Sequence, residues 1–237
     1  MSQDRDASAP TIPEARSLRF LFRGQLMHAG AAVVLASTAW ALAAPALGDG
    51  SWLGVSDVAL FWAVIGVSVG HQVYVWLSWR TQLGWGLFTR AFGRYDLAVH
   101  AAVFGPLMLA RVFLVIAVGL SDPSSLLLPR WLQLALGVGL LVPSLYTLWS
   151  VARYFGFVRA LGADHFRERY RTGGLVDEGA FAWTPNAMYT FALLGLWSIG
   201  FLLDSQAALV AAIFKHAFVW AHYLGTEEPD MELIYEG

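Results

Sequence analysis

Near the end of this 237-residue chain two adjacent carboxylates, Glu227 and Glu228, follow closely on His222 and Tyr223. Carboxylates beside aromatic faces stabilise cationic ligands such as sulfonium and quaternary ammonium groups, and Trp183, Tyr189 and Tyr223 supply such faces. Upstream, the connector arginines Arg153, Arg159, Arg167, Arg169 and Arg171 suit an anionic headgroup or a carboxylate. An anionic lipid that carries an amine, approached by a cationic cofactor, would meet both demands. Proton removal from such an amine needs a base within hydrogen-bond reach, and Glu227, Glu228 and His222 are the candidates. Neither glutamate is followed by a histidine at metal-ligand spacing, so no metal is expected, and Pro229 is expected to end the helix behind them. The plainer alternative is a solvated basic loop and an acidic tail.

The elements that must position these groups are dictated by composition. The chain is 57% hydrophobic and only 14% charged, with a mean hydropathy of +0.56, well away from a soluble domain at about a quarter charged. It is therefore expected to be an all-α integral-membrane protein. Net charge is -2 and no surface-wide basic field exists, which excludes nucleic acid as a partner. With no cysteine, thiolate nucleophiles, disulfides and iron–sulfur sites are excluded as well.

Apolar runs that could cross a bilayer, which takes roughly 20 residues, lie at residues 26–47, 55–79, 97–120 and 131–151. Two shorter runs, 187–203 and 207–224, are separated by Asp204, Ser205 and Gln206 and predict a C-terminal helical hairpin. The bundle thus has about six transmembrane helices and three parts: a leader over 1–25, a four-span region over 26–151, and a C-terminal region over 152–237. Of the 15 basic residues, 12 fall in the leader and two alternate connectors, against Arg130 alone on the other side. By the positive-inside rule both termini and the carboxylate pair face the cytoplasm, in what is expected to be a bacterial inner membrane. A cleaved signal peptide at the first span is disfavoured by Asp4, Asp6 and Glu14 in the leader.

Ionisable groups at bilayer depth usually face an interior or a partner. On the last span His216, Tyr223 and Glu227 repeat at i, i+7 and i+11, and Lys215, His222 and Thr226 do so one residue away, predicting one polar stripe. Lys215 could pair with Asp204 or snorkel. Arg111, midway along the third span, is expected to sit in a structural ion pair. His28, His71 and His100 are expected to be packed or cavity-lining groups, with axial haem ligation the alternative.

The order of three motifs adds a resemblance. Tyr154-Phe155-Gly156, then Asn186-Ala187-Met188-Tyr189 opening the hairpin, then Glu227-Glu228-Pro229 with Ile234-Tyr235 four residues on, resembles the phosphatidylethanolamine N-methyltransferase family. That family is one branch of a set that includes the isoprenylcysteine carboxyl methyltransferases, and the resemblance covers roughly the last 85 residues. It implies methyl transfer from S-adenosylmethionine to a membrane phospholipid, with cofactor contacts at Gly179, Asn186, Met188, Tyr189, Tyr223, Glu227 and Glu228. For the transfer itself, Glu227, Glu228 or His222 are the catalytic candidates; among the substrate-binding candidates, Arg153, Arg167, Arg169 and Arg171 suit the lipid phosphate or the cofactor carboxylate, and Trp183, with Tyr189 and Tyr223, suits the cationic groups. Pro185-Asn186-Ala187 stands where relatives carry Arg-His-Pro or Asn-Pro, which counts against an isoprenylcysteine acceptor. Gly137-Val138-Gly139 is a Gly-x-Gly element of the kind the phospholipid branch uses, or simply a close helix contact. The rival readings are a thiol or other small-molecule methyltransferase, a related NADPH-dependent membrane reductase, a transporter and a b-type cytochrome.

Overall fold

The computed structural model describes residues 8–235, so Arg5 and the other leader charges before Ser8 lie outside it. Eight helices carry the fold: α1 (Gln25–Ala43), α2 (Asp57–Trp85), α3 (Leu87–Phe92), α4 (Asp96–Ser121), α5 (Arg130–Ser150), α6 (Leu194–Leu202), α7 (Gln206–His222) and α8 (Glu228–Tyr235). Five stretches are long and apolar enough to span a membrane: Leu18–Ala46, Asp57–Trp85, Leu87–Ser121, Arg130–Phe155 and Gln206–Tyr235. The sixth, Met188–Leu202, is shorter. At 1.5 Å per residue it rises roughly 22 Å, short of the roughly 30 Å hydrocarbon core. The expected bundle is therefore present, with its fifth run reaching only part of the way.

Local chemistry sets the boundaries. Ser56 Oγ accepts from Ala59 N at the start of α2, and Ser205 Oγ accepts from Ala208 N at the start of α7. Gly86, at φ 62°, ends α2 in the left-handed region. Asp204 makes the hairpin turn at φ 56° and accepts a hydrogen bond from Gln133 Nε2 at 2.7 Å. It does not pair with Lys215 as expected. Beside it, Asp122 Oδ2 accepts from Ser205 Oγ at 2.9 Å and Ala207 N at 3.1 Å, clasping the end of α4 to the start of α7.

Helix α7 runs through the centre, against α1, α2, α4 and α6. Ala207, Ala208, Ala211 and Ala212 keep its core side thin, and close approach of this kind is how small residues bind helices together in lipid. At Gly200 a Cβ would stand 2.6 Å from the Leu209 Cα, whereas one at Gly139 would meet nothing within 4 Å. Gly200→Val should therefore force the hairpin apart at a cost of about 1–3 kcal/mol, while Gly139→Val should leave stability unchanged. Thermal melts in detergent compare the two; equal melting temperatures would remove the close contact. At Gly137 a Cβ would stand 2.8 Å from the Leu202 side chain, so that half of the Gly-x-Gly element is a helix contact with α6.

The arginine-rich end is a folded cap and not an open basic surface. Arg80, expected in a connector, lies inside α2 at 0% exposure. Its Nε donates to Asp230 of α8 at 2.9 Å, and its Nη atoms reach the carbonyls of Phe20, Leu21, Arg23, Gly225 and Thr226. Asp230 also meets His165 Nε2 at 3.3 Å, and His165 stacks on Trp79. Leu233 and Ile234 pack with Ala15, Phe20 and Leu83, bringing the end of the chain onto its beginning.

Candidate active site

Three π-helical turns interrupt the last third of the chain, at Val151–Phe155, Met188–Ala192 and Tyr223–Glu227. Each falls on one of the three motifs. A π-turn widens the helix and concentrates at functional sites. The third joins α7 to α8 without a break, so Pro229 does not end the helix. It is the second residue of α8, and the Gly225 carbonyl that an N–H there would have met accepts from Arg80 and Gln25 instead.

The turns at Met188–Ala192 and Tyr223–Glu227 face each other. Tyr189 Oη donates to Glu227 Oε2. The Tyr189 ring lies 6.1 Å from Trp220 and 6.0 Å from Tyr223, both near edge-on, and Trp220 and Tyr223 are 5.6 Å apart. Glu227 is therefore tied through Tyr189 to a cluster of three aromatic rings, residue types that together stabilise a sulfonium or ammonium cation. Trp220 was not among the expected residues; its i, i+3 relation to Tyr223 was the available signal. Glu228 is half-buried, and among the described residues no hydrogen bond or ion pair reaches its carboxylate.

The two interleaved polar rows of α7 do not form one stripe. His216 packs against Trp197, and Tyr223 and Glu227 meet Tyr189, all on the hairpin side. His222 and Thr226 look the other way: the His222 ring lies 5.3 Å from His28 and 6.1 Å from Trp79, and Thr226 Oγ1 accepts from Gln25 Nε2. His222 is thus on a different face from the carboxylate it was expected to assist. Its two ring nitrogens are buried without a hydrogen-bond partner. Behind His28 a groove of about 540 Å³ opens between α1 and α2, lined by Phe22, Leu26, Ala29, Val69, Val73 and Trp76 among others.

The other expected contacts separate into several settings. Met188 packs on Val151, Ala180, Phe181 and Ala187. The Asn186 carbonyl accepts from Tyr189 N and Thr190 N, opening the turn that carries Tyr189. Gly179, at φ +62°, is pressed on Ser150 and Tyr154, where a Cβ would stand 2.6 Å from Ser150 Oγ and 2.9 Å from the Tyr154 ring. Arg167 is spent on a buried pair with Asp96 at 2.5 Å. Arg171 donates to the carbonyls of Asp164 and Pro10, tying down the leader; burial lowers its pKa from the usual arginine value. Arg169 lies over the Tyr170 ring. Arg153 is exposed and lies 5.5 Å over Tyr154, at one end of an aromatic ladder that continues through Trp149, Tyr146 and Trp183. Trp183 is 63% exposed, as an aromatic at a membrane–water interface would be.

Fold and site define an integral-membrane helical protein whose C-terminal hairpin holds a carboxylate among aromatic rings. Comparison with known proteins finds a likeness over part of the chain: residues 132–237 match the family model of the phospholipid methyltransferases. Over 110 residues the chain is 26% identical to the phosphatidylethanolamine N-methyltransferase of Lodderomyces elongisporus, covering 44% of this chain and 12% of that protein. The phosphatidylethanolamine N-methyltransferase of Laccaria bicolor is 30% identical over 121 residues, or 50% of this chain and 12% of its own length. That of Scheffersomyces stipitis is 28% identical over 112 residues, again 44% and 12%. The chain thus spans about an eighth of these relatives. They are eukaryotic proteins and lend no support to a bacterial inner membrane. No solved structure matches the chain. The matched segment contains α6, α7, α8 and all three π-turns, so the C-terminal region is phospholipid methyltransferase-like in sequence where the candidate site lies.

Proposed function

We propose that this protein catalyses S-adenosylmethionine-dependent methyl transfer to a membrane phospholipid, the amine of phosphatidylethanolamine or its methylated derivatives. The observation that carries the reading is Glu227 held by Tyr189, itself packed with Trp220 and Tyr223. The family match over the same residues supports it. Bound S-adenosylmethionine supplies an electrophilic methyl group on a cationic sulfur. Glu227 and the three rings face that positive charge, and Tyr189 Oη fixes the carboxylate orientation, so the anion is in place before the cation arrives. Glu228, one residue on and unengaged, is the group that takes the proton from the acceptor ammonium onto its carboxylate oxygen. Arg153 and Trp183, on the exposed ladder, hold the lipid phosphate and lie at headgroup level. The site end faces the cytoplasm on this reading, because the basic residues concentrate there.

Membranes containing the protein, incubated with radiolabelled S-adenosylmethionine, should yield label in mono- and dimethylated phosphatidylethanolamine. If no lipid, thiol or protein acceptor takes label and the purified protein does not bind the cofactor, the reading fails.

A further inference from the structure

Two basic side chains lie inside the bundle, and among the described residues no ion pair reaches either. Arg111 of α4 is 6% exposed, and its Nε and one Nη are sealed from solvent without a hydrogen-bond partner. Lys215 of α7 is 4% exposed, and among the described residues neither a hydrogen bond nor an ion pair reaches it. Asp204, its sequence-expected partner, is committed to Gln133. The clasp of Asp122 on Ser205 gives both helices a common origin. From it Arg111 and Lys215 are both about 15 Å along their helices at 1.5 Å per residue, so they share one depth. The helices that carry them, α4 and α7, pack against each other, and α2, which carries His71, packs against both. Both ring nitrogens of His71, and the Ser68 hydroxyl one turn before it, are also buried without partners.

Unpaired buried charge is costly, and two like charges at one depth repel as well. A structural ion pair would have supplied a carboxylate. Among the described residues no ion pair reaches Arg111, and Glu227 already accepts from Tyr189 Oη. We propose that Arg111 and Lys215, flanked by His71 and Ser68, form an anion-binding site in the membrane interior that takes an oxyanion, a carboxylate or a phosphate, carried by one of the two reactants. The guanidinium provides a fork of donors and the ammonium a point charge, a set that matches either group. Arg111, His71 and Ser68 lie outside the matched segment, so the site joins the methyltransferase-like region to the preceding helices. Only the identity of the carrier rests on the methyl-transfer reading: cofactor carboxylate or lipid phosphate.

The test uses full-length protein in phosphatidylethanolamine-containing nanodiscs, with Arg111→Gln, Lys215→Gln and the double variant. If the cofactor carboxylate is the ligand, S-adenosylmethionine affinity measured by calorimetry falls by about 10- to 100-fold, as expected for lost charge-assisted bonds, and decarboxylated S-adenosylmethionine binds wild type and variants alike. If the lipid phosphate is the ligand, cofactor affinity holds and crosslinking to a photoactivatable phosphatidylethanolamine falls instead. Without ligand, the single variants should melt at or above the wild-type temperature, since each removes an uncompensated charge. Variants that melt well below wild type without ligand, or that bind cofactor and lipid as wild type does, overturn the proposal. Should wild type bind neither reactant, the methyl-transfer reading fails alone. The anion site then stands if inorganic phosphate raises the wild-type melting temperature and not that of the double variant, and falls if it raises neither.

Discussion

Glu227→Gln should lower the rate of lipid methylation by about 100- to 1000-fold, the range found when one preorganised electrostatic group is removed from a reacting centre. The amide keeps the shape of the side chain and an oxygen that Tyr189 Oη can still donate to, so the hairpin contact survives. What is lost is the negative charge facing the cation. Cofactor affinity should fall with the rate, because the charge acts on bound cofactor as well as on the reacting state. Glu228→Gln should separate from it: with no internal partner to lose, it should lower kcat and leave cofactor affinity near wild type if its oxygen takes the proton. Tyr189→Phe should fall between, because the carboxylate stays but is no longer oriented. Calorimetric affinities and initial rates on the three variants distinguish these patterns. Undiminished binding and turnover in Glu227→Gln would remove the carboxylate from the mechanism.

Much of the bundle was legible because hydrophobic length needs no partner to be read: the spans, the clustering of arginines at one end and the hairpin break at Asp204 all follow from local composition. Within the site, Tyr189, Tyr223 and Glu227 were legible from type and order. The π-turns that bring them together were not, since a change from i→i+4 to i→i+5 bonding is decided by packing across α6 and α7 and leaves no mark in residue type. Successive residues on a helix diverge by about 100°, so with neighbours on both sides of α7 His222 meets His28 while Tyr223 faces Tyr189. Connector arginines were misread for a related reason. Arg80 and Arg167 look like positive-inside charges until Asp230 and Asp96, 150 and 71 residues away, are placed beside them. Trp220 was passed over because a tryptophan in an apolar span is ordinarily packing or an interface anchor.

Arg80→Met should be among the most destabilising single changes in the protein, with a loss of about 3–5 kcal/mol, the cost of stripping one partner from a buried ion pair. The case rests on what Arg80 holds. Its fork bonds the carbonyls of Phe20, Leu21 and Arg23 before α1, and of Gly225 and Thr226 in the π-turn that carries Glu227, while Nε meets Asp230 of α8. Without it these carbonyls and Asp230 are buried with fewer donors, and Asp230 retains only His165. Stability and catalysis should fail together, because the same guanidinium that anchors the chain end also sets the Glu227 turn. Asp230→Asn should cost less, since an amide oxygen still accepts from Nε and the carbonyl bonds remain. Replacing both partners, Arg80→Met with Asp230→Leu, should recover part of the stability by removing the unpaired charge. It should not recover methylation, because the Thr226 carbonyl stays without the Arg80 donor and the Gly225 carbonyl keeps only Gln25. Thermal melts and limited proteolysis at the C-terminal end report the first effect and the lipid assay the second. A double variant that regains both stability and turnover would show that Arg80 serves only as ballast for Asp230 and that the turn holds Glu227 by itself.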